Sequence, residues 1–422
     1  MKTILTHLTL FDGTGREPVR DAAVVLDGEK IAYAGPSSGL TAPQPALTLD
    51  LRGGFVMPGL IDAHVHLALS GEPDGHFSGS DGEAALVILK NAQRNLAAGF
   101  TSVRDLGGWN ELEFAVRRTI QQGLFAGPRL CLAGRFISIT ESGVDYYRGM
   151  YAVANGPTAM LAAVREQIKN GADLIKLGVT GAVLVEDGVP GATHLNPDEI
   201  AIAVAEAAKF GRRVAAHAHG ADGIRKAVEA GVHTIEHGTF LHRDPGAIRL
   251  MAERGVFLVP TLAAGSAILS GDASAVPEWI MEKSRPIQED ALLSLRMAYE
   301  AGVPIANGSD AATPLNYHGD NAREIYWMQQ AGLPPLAALH AATGNAARAL
   351  GWDDRLGTLQ PGKLADLLVL DEDPLDDLRL LANRKSLRWV MKGGRIVAQR
   401  LDADLPAVLL DPNGLTIGPV SV

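Results

Sequence analysis

One cysteine, Cys131, stands in 422 residues. A lone thiol excludes an internal disulfide, and thiol scarcity fits a reducing compartment. The chain also lacks any block of lysine and arginine. With 38 Lys+Arg against 48 Asp+Glu and a formal net charge of -10, neither nucleic acid nor an anionic membrane surface is an expected partner. No uncharged apolar run approaches the ~20 residues of a membrane span. The first residues, Met1 to Leu8, are apolar only briefly before Asp12 and Arg16, with no small-residue cleavage pattern, so no signal peptide is read there. These absences lead to the expectation of a soluble, cytoplasmic protein. What is abundant is core material. The chain is 47% hydrophobic and holds 47 glycines, which suits a large buried interior and tight turns between many short elements.

Two rhythms divide the chain. Up to about Gly54, short apolar runs such as Ala22-Ala23-Val24-Val25-Leu26 are cut by Asp27-Gly28, a hairpin signal. The far end matches it: Ala365 to Leu370 and Trp389 to Val397 read as strands, the latter around Gly393-Gly394. Neither piece is large enough to bury a core alone. Residues 1–56 and 358–422 are therefore expected to pack together as one small β-sandwich domain built from both chain termini. Residues 57–357 instead alternate apolar strands with amphipathic helices. The strand candidates are Phe55–His66, Thr101–Asp105, Arg129–Ala133, Leu174–Gly178, Arg213–Ala218, Thr234–His237, Phe257–Pro260 and Pro304–Gly308. Helices are expected between them, at Glu83–Ala98, Thr158–Asn170, Pro197–Phe210, Ala221–Ala230 and Pro286–Ala301, with Pro197 and Pro286 in first turns where no backbone N–H is needed. Such repetition predicts the α/β class and a (β/α)8 TIM barrel, in which chemistry sits at the C-terminal strand ends.

The unusual polar residues fall at those ends. Met57-Pro58-Gly59-Leu60-Ile61-Asp62-Ala63-His64-Val65-His66 finishes the first strand with two histidines one residue apart, which strand alternation points to the same side. The fourth carries Lys176 inside an apolar run. The fifth ends in His217-Ala218-His219, the sixth in Glu236-His237, and the eighth in Ser309-Asp310. Each has an ordinary alternative: a snorkelling lysine, a satisfied core histidine, a helix-capping aspartate. Their shared position on different strands favours a common purpose. Imidazoles and a carboxylate suit Zn²⁺ and similar divalent ions. A buried lysine has a lowered pKa, and its neutral amine can add CO₂ to give a carbamate able to bridge two cations. Two divalent metal ions sharing a hydroxide would supply a nucleophile at neutral pH.

With these residues in place, the chain resembles the metal-dependent amidohydrolase superfamily, in the imidazolonepropionase-related branch with Xaa-Pro dipeptidases, ochratoxinases and phenylurea hydrolases. The resemblance extends over Thr101-Ser102-Val103-Arg104-Asp105-Leu106-Gly107-Gly108, Ala342-Thr343-Gly344-Asn345-Ala346-Ala347 and Gly357 to Leu367. It implies that His64, His66 and Asp310 hold the more buried metal, His217 and His237 the other, and carboxylated Lys176 both. Asp310 would shuttle the proton from the attacking metal-bridging hydroxide to the leaving amine. His217 and His219 share a face, and either can be the fifth-strand ligand. His217 is favoured because it lies on the strand proper, which makes His219 a candidate for transition-state contact or for a supporting role. Gly220 takes the place of the acidic residue that follows this histidine in single-metal deaminases, and Lys176 likewise indicates a two-metal hydrolase of amide-like bonds.

The chain departs from dipeptidase-like members in two segments. Ile137 to Asp145 has no histidine where they carry Gly-Gly-His, and Thr193-His194-Leu195-Asn196-Pro197 lacks their aromatic. Substitute substrate contacts are expected from Tyr146, Tyr147 and Arg148, or from His194. Arg104 and Asp105 are expected to form a structural pair, and Trp109 to line the mouth. The loop Thr180 to Leu195 is a candidate lid, and Ser266 to Pro277 a second flap. The implied substrate is a small amide: an N-acyl amino acid, a dipeptide such as Xaa-Pro, or a xenobiotic amide such as ochratoxin. A phenylurea, carbamate or cyclic-amide hydrolase using the same metals is the alternative, and a catalytically silent scaffold a lesser one. The resemblance also implies a homo-oligomer.

Overall fold

The computed structural model describes residues 2–41, 43–72, 79–141, 143–147, 149–271, 275–383, 386–400, 408–410 and 416–418, with the backbone alone for Tyr146 and for 416–418. The two chain ends meet at the strand Ala46–Pro58. Its length, 13 residues, lets it pair parallel with Lys2–Leu10 on one edge and antiparallel with Leu367–Leu370 on the other, where Phe55 to Pro58 oppose Leu370 to Leu367. Both chain ends thus join one hydrogen-bonded nine-stranded sheet, with spatial order Thr416–Gly418, Val408–Leu410, Arg395–Gln399, Leu387–Lys392, Leu367–Leu370, Ala46–Pro58, Lys2–Leu10, Val19–Asp27, Lys30–Pro36. Its own core includes Leu5, Val24, Leu26, Val56, Leu367 and Val369. The Gly393-Gly394 turn forms as the sequence predicts. Both residues have positive φ, 56° and 73°, between Lys392 and Arg395 of adjacent antiparallel strands, the backbone that a two-residue hairpin matched to strand twist requires.

Between the ends lie two parallel arrays. One holds Leu60–Val65, Phe100–Asp105 and Arg129–Leu132; the other holds Phe257–Val259, Thr234–His237, Arg213–Ala218, Leu174–Gly178, Phe136–Ser138 and Tyr151–Val153. Backbone hydrogen bonds link their margins. Asp173 N donates to Leu132 O at 2.8 Å on one side; on the other, Ala306 N donates to Leu258 O at 3.0 Å and Ala63 N to Asn307 O at 2.9 Å. The expected eighth strand, Pro304–Gly308, takes that linking place without becoming a regular strand: only the isolated bridges Leu258↔Ile305 and Val65↔Ala311 form. Gly308 and Asp310 supply the physical reason. Asp310 has φ 54°, which ends extension, and Gly308 is pressed so close that an added Cβ would meet Val259 at 2.3 Å and His64 at 2.9 Å.

Helices fill the intervals. Asp81–Ala97 is capped by Ser80, whose side chain accepts from Glu83 N while the Glu83 carboxylate accepts from Ser80 N at 2.7 Å. Pro197 opens its helix as predicted. Pro286 does not: the helix begins earlier, as Glu278–Glu300, with the proline inside it. The added turns carry Ile280, which packs with Ile268, Val276, Leu184 and Trp279, so tertiary burial overrides the proline signal. Among the described residues no helix is long and apolar enough to cross a membrane.

Candidate metal centre

His64 is the penultimate residue of Leu60–Val65 and His66 follows that strand. Strand alternation puts both rings on one side, with centroids 5.4 Å apart. Each presents its Nε2 to the same oxygen, Oδ1 of Asp310, at 3.4 Å. The second group is His217 on Arg213–Ala218, His219 just beyond it, and His237 at the end of Thr234–His237. In each trio, His64–His66–Asp310 and His217–His219–His237, one ligand atom per residue lies within 4.8 Å of the others. The groups adjoin, with the His64 and His237 ring centroids 5.1 Å apart. His237 has φ 71°, which removes it from strict alternation and lets it share a side with Glu236.

The ring nitrogens turned away from the cavity are anchored. His64 Nδ1 donates to Glu236 at 2.9 Å, His66 Nδ1 lies 3.4 Å from Gly107 O, His219 Nδ1 pairs with Thr239 Oγ1 at 2.7 Å, and His237 Nδ1 pairs with Thr261 Oγ1 at 2.7 Å. Such anchoring orients imidazoles toward a ligand. Burial holds the rings neutral: it lowers His64 and His219 to about 4 and takes His217 and His237 well below the ordinary value, with nearby positive groups adding to the effect. His66 goes the other way: against the lowering effect of its burial, Asp310 and the charge of Asp105 together raise it. Asp310 is brought down to about 2 despite burial, by His64, His66 and Lys176.

Lys176 stands in Leu174–Gly178 and is 1% exposed, so it does not snorkel to solvent. Burial lowers its ammonium to about 8, against the attraction of Glu236 and Asp310. Its Nζ has no hydrogen-bond partner; neither have His217 Nε2, His237 Nε2 and Asp310 Oδ1. Buried polar atoms normally find partners. Four orphaned atoms in residues that line one cavity mark a place where a further group belongs. Neutral imidazoles, a carboxylate and an amine of lowered basicity fit divalent cations by donor chemistry.

The other expected residues divide. Tyr147 lines the cavity, together with Phe136, Met150 and Tyr151, which the sequence did not single out. The Tyr146 side chain and Arg148 lie outside the described residues. His194 is not among the cavity's lining residues: its Nδ1 faces Glu141 at 3.6 Å and its ring rests near Gly181. Trp109 packs in the core against Gly149 instead of at the mouth. Arg104 and Asp105 do not pair, because neighbours on a strand face opposite ways. Arg104 donates to Glu236 at 2.7 Å and to Ala63 O at 2.5 Å; Asp105 accepts from Leu67 N at 3.1 Å and Gly107 N at 3.0 Å. The expected lid loop does supply lining residues, Val183 to Val185, whereas Ser266 to Ser270 of the second expected flap belong to the helix Leu262–Ser270 and its residues 272–274 lie outside the described residues.

Two acids went unassigned at the level of sequence. Glu236 is held down to about 2, chiefly by Arg104 against the cost of burial. Asp62 accepts from His64 N at 3.0 Å, Ser309 N at 3.0 Å, Ser309 Oγ at 2.5 Å and Asn321 Nδ2 at 2.7 Å, tying the first strand to the Asp310 segment. A carboxylate inside an apolar strand was the available signal for both.

Comparison with known proteins agrees with this arrangement. Residues 55–397 match the Amidohydrolase family. The ochratoxinase of Aspergillus niger is 30% identical over 425 residues, covering 93% of this chain and 86% of that protein; its crystal structure superposes with a TM-score of 0.85, at 28% identity over 98% of this chain and 97% of that one. A Xaa-Pro dipeptidase with methionine bound in its active site is 33% identical, with a TM-score of 0.85 over 94% of this chain and 99% of the other. An imidazolonepropionase of Erwinia tasmaniensis is 25% identical, over 83% of this chain and 86% of that one. The match spans the strand ends that carry both ligand trios, and on that ground the chain belongs to the amidohydrolase family and is a hydrolase acting on carbon–nitrogen bonds.

Proposed function

We propose that this protein hydrolyses an amide-type C–N bond at a binuclear metal centre, with Asp310 as the proton-transfer residue. The observation that carries the reading is the set of four buried polar atoms without a hydrogen bond on Lys176, His217, His237 and Asp310, the last in contact only with His64 and His66 at 3.4 Å. His64, His66 and Asp310 would hold one ion and His217 and His237 the other. Lys176, as its CO₂-derived carbamate, would serve both. His217 is kept as ligand in preference to His219 because its Nε2 is orphaned. The ions, for which Zn²⁺ suits the donor set, would supply acidified water and polarisation of the scissile carbonyl.

The chain's own groups do the rest. Lys176 enters as a free amine, made accessible to CO₂ by the burial that disfavours its ammonium. Asp310, ionised throughout the neutral range, takes the proton of the attacking water and returns it to the leaving nitrogen. His219, fixed at Nδ1 by Thr239, keeps Nε2 for the developing oxyanion. The reading also takes the two parallel arrays and the 304–311 segment as a (β/α)8 barrel of residues 57–357 beside a β domain of 1–56 and 358–422.

The test is elemental analysis of protein grown with zinc and bicarbonate, paired with a panel of carboxylate-bearing and neutral amides. About two metal ions per chain, as a shared-water mechanism requires, together with turnover of any member supports the reading. Metal-free protein after such growth overturns it.

A further inference from the structure

The cavity has two unlike walls. One is the ligand set. The other is largely apolar, built by Val183 and Val185 of the overlying loop, Leu262 and Ile268 of the helix Leu262–Ser270, and Ile287 and Ala291 of the helix Glu278–Glu300, with Gln288 of that helix donating its Nε2 to Leu262 O at 3.3 Å. In that second wall stands Ser284, 2% exposed, with a hydroxyl that has no hydrogen-bond partner. A buried hydroxyl without a partner costs free energy that a ligand can recover.

Lys283, the residue before Ser284 on the same helix, is already engaged. Lys283 Nζ donates to the carbonyls of Val185 at 2.8 Å, Glu186 at 2.6 Å and Gly188 at 2.9 Å, and lies 5.1 Å from the Trp279 ring centroid. Three carbonyls account for all three donors of an ammonium. Among the described lining residues Lys176 is the one lysine or arginine, and Asp310 the one acid, and both belong to the ligand set. A substrate carboxylate or free ammonium entering this wall would lose its hydration and, among the described residues, meet no counter-charge in it, which is costly.

Resting on the amide-hydrolase reading above, we infer that the site selects neutral, largely apolar amides or carbamates without a carboxylate, and that the Ser284 hydroxyl makes the hydrogen bond that orients them. This favours the phenylurea or carbamate alternative over dipeptides, N-acyl amino acids and carboxylate-bearing amides such as ochratoxin. Ser284 is then a specificity-determining residue, and Lys283 keeps the loop, and so the apolar wall, in place.

The test uses a matched pair with one scissile amide: N-benzoylphenylalanine and its decarboxy analogue, N-(2-phenylethyl)benzamide. Binding is measured by calorimetry to full-length, metal-loaded Asp310→Asn protein, in which turnover is expected to be lost. The neutral member should bind at least about tenfold more tightly, as expected for a site that rejects an unpaired charge. Adding Ser284→Ala should weaken the neutral member by roughly fivefold and leave the acid unchanged. Adding Ser284→Lys should reverse the preference. Equal or tighter binding of the acid, no binding of either, or indifference of the neutral member to Ser284→Ala overturns the inference. Wild-type turnover separates the two proposals. Selective binding without hydrolysis counts against the hydrolase reading alone, whereas hydrolysis of the acid in preference to its analogue counts against the selectivity alone.

Discussion

Glu236 Oε2 lies 2.9 Å from Nδ1 of His64. Its other oxygen accepts from Arg104 at 2.7 Å and from the Thr234 hydroxyl. The ionised carboxylate therefore fixes the His64 tautomer with the proton on Nδ1 and leaves Nε2 free to face Asp310. Glu236→Gln should keep the fold and lower metal affinity about tenfold. Competition with a chromogenic chelator measures it; unchanged affinity would show that His64 is oriented by packing alone.

If Lys176 carries the proposed bridging carbamate, Lys176→Ala should lose activity by at least about 10²-fold and bind less metal. Formate or acetate, small enough to occupy the vacated volume, should restore part of both. Full activity in this variant would remove the carbamate from the mechanism.

Asp310→Asn keeps an oxygen donor and loses the proton acceptor. Bound metal should remain largely in place while kcat falls by about 10²-fold or more. A near-normal rate would place the proton shuttle on another group, with His219 the first to examine.

Lys283→Met removes the three bonds that hold the loop over the cavity. Local opening of residues 180–195 should become easier by about 1–3 kcal/mol, the range for hydrogen bonds to a charged donor. Hydrogen exchange in that loop, with global stability as control, is the measurement. Unaltered protection would mean that the packing around Trp279 suffices.

Lys392 is brought down to about 8, mainly by burial and further by Arg129, and lies far from the ligand set, donating to Gly127 O at 2.5 Å. Its folded-state pKa lies below the ordinary lysine value of 10.5. Below about 8 both folded and unfolded chains carry the charge, and the burial penalty is fully felt. As pH rises from about 8 to 10.5 the folded chain sheds the proton first and the penalty disappears. The Tm of Lys392→Met relative to wild type should therefore move against the variant across that interval. A constant difference would show that the two states titrate alike.

Local rules carried much of the site. Spacing by two on a strand placed His64 and His66 together, and apolar surroundings of Lys176 foretold its lowered pKa, because both depend on a residue's immediate neighbours. The same rule, had it been applied to Arg104 and Asp105, would have separated them. His194 misled because a polar residue in a loop carries no local signal of the side it faces. Pro286 misled because its helix is held by the burial of Ile280 against Ile268 and Leu184, partners distant in sequence.

By itself the sequence determined the donor types, their position at strand ends and the alternation of strands and helices, since these depend on side-chain chemistry and backbone period. Only the tertiary structure decided that Glu236, 172 positions from His64, would be its partner, that Asp310 would reach both histidines through a left-handed turn, and that Lys283 would be spent on the loop, leaving the Ser284 hydroxyl without a hydrogen bond in a largely apolar wall. Those outcomes depend on desolvation and on contacts between distant segments, and neither exists until the chain has closed upon itself.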